Sequence, residues 1–143
     1  MSAREQLLSA VDTILGAIDG VEEYEAEAIA DPGAFPALAS YDQGQREIER
    51  EAGSTRYELS FRVEGYVEGG SGVSARAELN GLHARTVKAL TSDPTLGGLA
   101  ELIEETGELR RDIAELASKR RQGFAQDFII QYSTPRGDPT VLS

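Results

Sequence analysis

Leu7, Leu8, Val11, Ile14, Leu15 and Ile18 fall on one stripe when the chain is wound as an α-helix, with Arg4, Glu5, Gln6, Asp12 and Thr13 turned the other way. The spacing predicts an amphipathic helix over 3–18, stopped near Gly20. From Tyr24 the pattern changes to alternation. Glu22, Glu23, Glu25 and Glu27 are set among Val21, Tyr24, Ala26 and Ala28, which predicts a strand over 21–30 with one acidic, solvated face. Asp31-Pro32-Gly33 supplies a turn, because Pro fixes φ and Gly tolerates positive φ. Phe35–Tyr41 reads as a second strand with Pro36 near its start, where a missing N–H costs least. Residues 42–55 then hold only Ile48 and Ala52 as apolar residues among many charges. They are expected to form a long exposed loop or arm, a kind of segment that in a compact domain usually serves a function or is disordered.

Tyr57, Leu59, Phe61, Val63, Gly65 and Val67 alternate with Arg56, Glu58, Ser60, Arg62, Glu64 and Tyr66, the clearest strand pattern in the chain and that of an antiparallel, half-buried strand. Gly69-Gly70-Ser71-Gly72 reads as a flexible connection into a second helix over 74–92. That helix carries Ala75, Leu79, Leu82, Thr86, Val87 and Leu90 on one face and ends at Asp93-Pro94. Residues 99–121 read two ways. Leu102, Leu109, Ile113 and Leu116 allow a helix broken near Gly107, which the Glu and Arg content favours, and strands are the alternative. Phe124, Phe128, Ile130 and Tyr132 share one parity and predict a closing strand. Ser133–Ser143, with Pro135, Gly137 and Pro139, reads as surface chain. The order of elements indicates an α+β fold, a mostly antiparallel or mixed sheet with two helices packed on one face.

The length of 143 residues is that of one domain, and 40% apolar with 27% charged residues is a globular composition. The absence of cysteine removes disulfides, thiolate catalysis and iron–sulfur clusters, and a single histidine, His83, removes multi-histidine metal sites. No apolar run is long enough to span a bilayer. The first residues lack the order of a signal peptide, so the chain is expected to be made and kept in a cytoplasm. Charge is uneven: residues 1–71 carry 15 acidic and 5 basic side chains, residues 72–143 carry 10 and 9. A chain of net charge −11 repels phosphate backbones, which argues against specific nucleic-acid binding.

Residues 70–75 match the G-x-G-x-x-A form of a dinucleotide fingerprint. The preceding strand is wet on one face, however, and the acidic residue at the right separation, Asp93, ends a helix, so the stretch reads as a linker. His83 has no nucleophile or orienting carboxylate at helical spacing and reads as a helix-surface histidine. The carboxylate pairs Glu22/Glu23, Glu25/Glu27, Glu47/Glu49 and Glu104/Glu105 read as solvated faces, since the chain has no Trp and few aromatics to build a desolvating cleft. No calcium-loop, nucleophile-elbow or phosphate-loop motif occurs. The expectation is a protein without catalytic residues, cofactor or metal. The basic clusters Arg110-Arg111 and Lys119-Arg120-Arg121 look like docking points for the acidic half of an identical subunit.

Phe35-Pro36-Ala37-Leu38 leading to Tyr41, the charged segment 42–55, the alternating strand 57–67, the helix 74–92, Asp93-Pro94-Thr95-Leu96-Gly97-Gly98-Leu99 and the closing Gly123-x-x-x-x-Phe128-Ile129-Ile130-Gln131-Tyr132 occur in this order. Together they resemble the tail terminator proteins of long-tailed bacteriophages and related phage-like particles, over roughly residues 3–134, leaving 135–143 as an extension. The resemblance implies a non-enzymatic protein of the virion, placed at the head-proximal end of the tail. It implies a homo-hexameric ring that caps the tail tube protein, stops its polymerisation and offers a surface to a head–tail connector protein, while DNA passes through the channel without specific binding and no membrane is involved. It favours strands over helix from about Leu102 to Ile113. On this reading the arm at 43–55 reaches the tube or the neighbouring subunit through Arg46, Glu47, Glu49 and Arg50, and Arg110 and Arg111 serve the same kind of contact. Two other readings are a head–tail joining (neck) protein and a monomeric acidic regulatory or inhibitor domain.

Overall fold

The computed structural model describes residues 1–116 and 119–143. The side chains of residues 113–119 lie outside the description. In chain order the elements are α1 (Ala3–Gly16), β1 (Glu23–Ala26), β2 (Ala37–Arg50), β3 (Ser54–Glu68), α2 (Gly72–Thr91), β4 (Leu102–Leu116) and β5 (Lys119–Pro135). They make an α+β fold: one five-stranded sheet in the order β1-β2-β3-β5-β4, with two helices on one face. The β1–β2 pair is parallel and the other pairs are antiparallel.

Both helices form where their apolar stripes predict. Ala3, Leu7, Val11 and Leu15 of α1 are buried, as are Ala75, Leu79, Leu82, Thr86 and Leu90 of α2. Each begins at a serine. Ser2 Oγ accepts from the Glu5 amide, and Ser71 and Ser74 form a reciprocal capping box. The glycine-rich connection at 69–72 is thus the entry to α2, and the Ser71 hydroxyl accepts from the Ser74 amide of the helix's own first turn. At the far end Asp93 accepts hydrogen bonds from the Thr95 and Gly97 amides and the Thr95 hydroxyl, closing a turn. Those bonds hold its carboxyl below the ordinary range.

The centre of the sheet is the β3–β5 ladder, unbroken from Ser54↔Pro135 to Glu68↔Arg121. Its helix-facing side carries Leu59, Phe61, Val63, Val67, Phe124, Phe128, Ile130 and Tyr132, all buried. Phe61 and Phe128 stack with centroids 5.3 Å apart. The strands on either side are both bulged. β2 shifts register between Asp42 and Gln45, β4 between Thr106 and Arg110, and each bulge carries a glycine at positive φ, Gly44 at 93° and Gly107 at 70°.

Three expectations change. The first strand is shorter than predicted, and its chain returns to β2 across the outer face, where the Arg121 guanidinium lies 4.8 Å from the Phe35 ring centroid and 3.6 Å from Asp31. Residues 42–55 are not a loop. β2 runs on to Arg50, and the segment pairs with β3 as a hairpin as far as Arg50↔Thr55. Main-chain pairing needs no burial, so a hairpin with both faces wet shows no alternation. Third, 102–116 and 119–135 are strands, which settles the open choice over 99–121 for the described residues; Ala117 and Ser118 lie outside them. The C-terminal residues lie against the domain: the Ala3 amide donates to Pro139 O (2.8 Å), the Ser143 amide to Ser133 O (2.9 Å), and Leu142 packs on the core.

Candidate assembly surfaces

The β2–β3 hairpin places Arg46, Glu47, Glu49 and Arg50 on one arm. Beyond the Gln45↔Leu59 pair it extends to a tip closed by Glu51 N–H donating to Ser54 O (2.9 Å). Arg46 Nε donates to Glu58 (3.2 Å). Arg50 makes a two-pronged contact with Glu47 (2.8 and 3.0 Å), and Arg56 bridges Glu49 (3.1 Å) and Glu101 (2.7 Å). Exposed pairs of this kind contribute little to stability, so they shape the arm without locking it, and their charges can be re-paired with an incoming surface.

The base of the arm is tied to α1. Arg4 reaches Asp42 at 2.7 Å and Gln45 at 2.8 Å, and the Tyr132 hydroxyl donates to Gln45 Oε1. The Arg4 bond, helped by the Gly44 amide, holds the Asp42 carboxyl below the usual carboxylate range. A carboxyl depressed in the folded state adds stability above its unfolded pKa of about 3.9 and loses it as pH falls through the lower folded value. Asp42→Asn is therefore expected to lower stability near neutrality by that contribution and to converge on the wild type as acid protonates Asp42, which flattens the loss of stability below about pH 4, as urea unfolding at a series of pH values will read.

Arg110 and Arg111 do not act together. Adjacent residues on a strand face opposite ways. Arg111 Nη2 donates to Gln122 Oε1 (2.7 Å) on the helix-facing side. Arg110 lies on the outer side, 3.8 Å from Asp127, which already accepts from Arg62 at 3.0 Å. Neither arginine lies with the arm: Arg110 pairs with Ala125, whereas the arm tip sits beside Thr134 and Pro135. In the second basic cluster Arg121 is an internal staple, between Asp31, Glu68 and the Phe35 ring, and Lys119 lies outside the described side chains.

A cleft of about 480 Å³ opens between α1 and the β1–β2 edge, lined in part by Glu5, Asp12, Glu27 and Asp42. Beside it the Tyr24 hydroxyl donates to Asp12 (2.5 Å) and lies 2.7 Å from Ser40 Oγ. Burial, then the Asp12 bond, pushes the phenol far above its ordinary pKa and keeps it a donor. His83, expected on the helix surface, is half-buried, 3.2 Å from Gln126 Oε1 and edge-on to Phe124. Among the described residues no group of His, Asp and Glu side chains is arranged to hold a metal ion.

The lateral edges of the sheet were not foreseen. β1 and β4 are its terminal strands, and register carries a single row from one edge to the other: Glu25, Ala39, Glu64, Ala125, Arg110. No local pattern announces such a row, since it joins residues from five separate strands.

No protein-family model matches the chain, and no curated protein matches it. Among solved structures it is similar to a chain of the virion of a native gene transfer agent (GTA) particle. The TM-score is 0.50 and the identity 12%, over 91% of this chain and 92% of that one. At that identity the likeness is one of fold, and it runs end to end.

Proposed function

We propose that this protein is a structural component of a phage-like virion, a tail terminator that forms a ring, covers the polymerising end of the tail tube and presents a new surface to the head–tail connector. The end-to-end fold likeness to a virion chain of a gene transfer agent particle carries this reading, because it spans nearly the whole of both molecules rather than a shared motif. The role is non-catalytic. Docking hides the surface on which the next tube ring would add, so termination needs no bond to be made or broken.

The fold suits a ring with two working faces. The β2–β3 hairpin tip lies beside Pro135 at one end of the central ladder, and the β4–β5 hairpin reaches the other end, its last described pair Leu116↔Lys119 lying beyond Glu68↔Arg121. With the strands running between the faces of the ring, one hairpin projects towards the tube and the other towards the connector. We assign the tube to the β2–β3 arm, through Arg46, Glu47, Glu49 and Arg50. The excess of carboxylates in the first half of the chain repels DNA and lets it pass without sticking.

Negative-stain microscopy of the concentrated, lightly cross-linked protein, with and without magnesium to relieve carboxylate repulsion, should show six-fold rings. A strictly monomeric protein, both free and in the presence of tail tubes, contradicts the proposal.

A further inference from the structure

We infer that copies of this chain join edge to edge, β4 of one against β1 of the next, with Arg110 paired to Glu25 across the joint. This interface rests on the ring reading and says which surfaces close the ring. Both strands are terminal in the sheet, so each offers a row of main-chain groups that no further strand of the same chain meets. At its start β4 is capped from outside, by Pro94 O accepting from the Ile103 amide, and at its bulge Thr106 O accepts from Gln126 Nε2. The chain leaving β1 returns over the outer face, as the Arg121 contacts to Asp31 and Phe35 show, and Glu25 and Ala26 stand exposed.

Strand directions agree with this joint. β1 runs with β2, β2 against β3, β3 against β5 and β5 against β4, so β1 and β4 are opposed. Two copies placed side by side in the same orientation bring β4 and β1 together as an antiparallel pair. The contact uses different surfaces on the two copies, which is the kind of interface that closes into a ring when repeated by rotation.

Charge fixes the register. Arg110 and Glu25 are the two ends of one row, on the outer face, and both have capacity to spare. The Asp127 that Arg110 approaches at 3.8 Å is already bound by Arg62, and Glu25 makes no hydrogen bond or ion pair among the described residues. Its neighbours on that edge are engaged internally, Glu23 by the Gly33 amide and Glu27 by the Asp42 amide. Asp112, two rows from Arg110 on the same face and level with Glu23, also has an interaction within its own chain. β1 has four residues, so a single joint is weak and its repetition around a closed ring supplies the stability.

The chain has no cysteine, which permits a direct test. Glu25→Cys and Arg110→Cys in one chain place thiols opposite each other only across the proposed joint, at a separation that paired strands and disulfides share. Mild oxidation should then give a ladder of covalent oligomers ending at the ring, and neither single variant should pass dimer. Arg110→Glu and Glu25→Arg should each raise the concentration needed for rings by about tenfold or more, and combining them should restore it. If wild-type rings form while the double-cysteine protein stays monomeric on oxidation, the edge joint is wrong and the ring stands. Rings unaffected by either charge reversal overturn the Arg110–Glu25 pair. If neither rings nor cross-links appear, either free or in the presence of tail tubes, both readings fall.

Discussion

Gly65→Ala is expected to destabilise the protein by about 2–3 kcal/mol, the cost of forcing an extra methyl into a packed core, and Gly65→Val by more. Gly65 pairs with Phe124 across the β3–β5 ladder. A Cβ built on it would lie 2.1 Å from Phe124 Cε2, 2.6 Å from Cζ and 2.9 Å from Cδ2, so the ring occupies the space a side chain would take. The ring has little freedom to move aside, since it is buried and set edge-on against His83 of α2. The next row repeats the arrangement on the outer face with the roles exchanged: Gly123 pairs with Tyr66, and a Cβ there would lie 3.0 Å from two ring atoms. Trimming Phe124 to leucine should cost about 1 kcal/mol alone yet soften the Gly65→Ala penalty, so the double variant is more stable than the sum of the singles predicts. Urea unfolding of the four proteins reads the coupling directly; simple additivity would mean that the ring and the glycine do not compete for space.

The second large effect concerns function rather than stability. Replacing residues 48–56 by Asn-Gly joins Glu47 to Tyr57, a pair already in register, through a two-residue hairpin turn. It shortens the arm by roughly 10–12 Å, at about 3.4 Å per strand residue. The core beneath keeps its contacts except for those of Thr55, the one buried residue removed. The pairing of residues 54–56 with the end of β5 is also lost, as are the surface ion pairs of Arg50 and Arg56, which contribute little. The shortened protein should fold, melt within several degrees of the wild type and fail to arrest tube growth. Arrest at wild-type efficiency would move the tube contact away from this arm.

What could be read from the sequence follows from which faces are buried. β3 is buried on one side along its whole length, so its period of two is plain, and the stripes of α1 and α2 are legible for the same reason. The β2–β3 arm and β4 gave no such signal. Residues 43–47 and 104–112 are exposed almost without interruption, and a strand wet on both faces has no reason to alternate. Glu and Arg in β4 then favour helix locally, and only pairing with β5 overrides that preference. The candidate site divides likewise. Arg46, Glu47, Glu49 and Arg50 were legible as a group because they are close in sequence and stay on one arm. Arg110 and Arg111 were read as a unit, which the sheet splits between its two faces. The row joining Glu25 to Arg110 exists only once five strands are in register.

The most direct measurement of the central claim is the length of tubes assembled in vitro from the cognate tail tube protein, imaged with and without this protein at equal molar amounts. The proposal predicts short tubes, each bearing a six-fold cap of this chain at one end that no longer accepts tube subunits. Tubes that keep growing at their usual rate, with this protein left in solution, would contradict it.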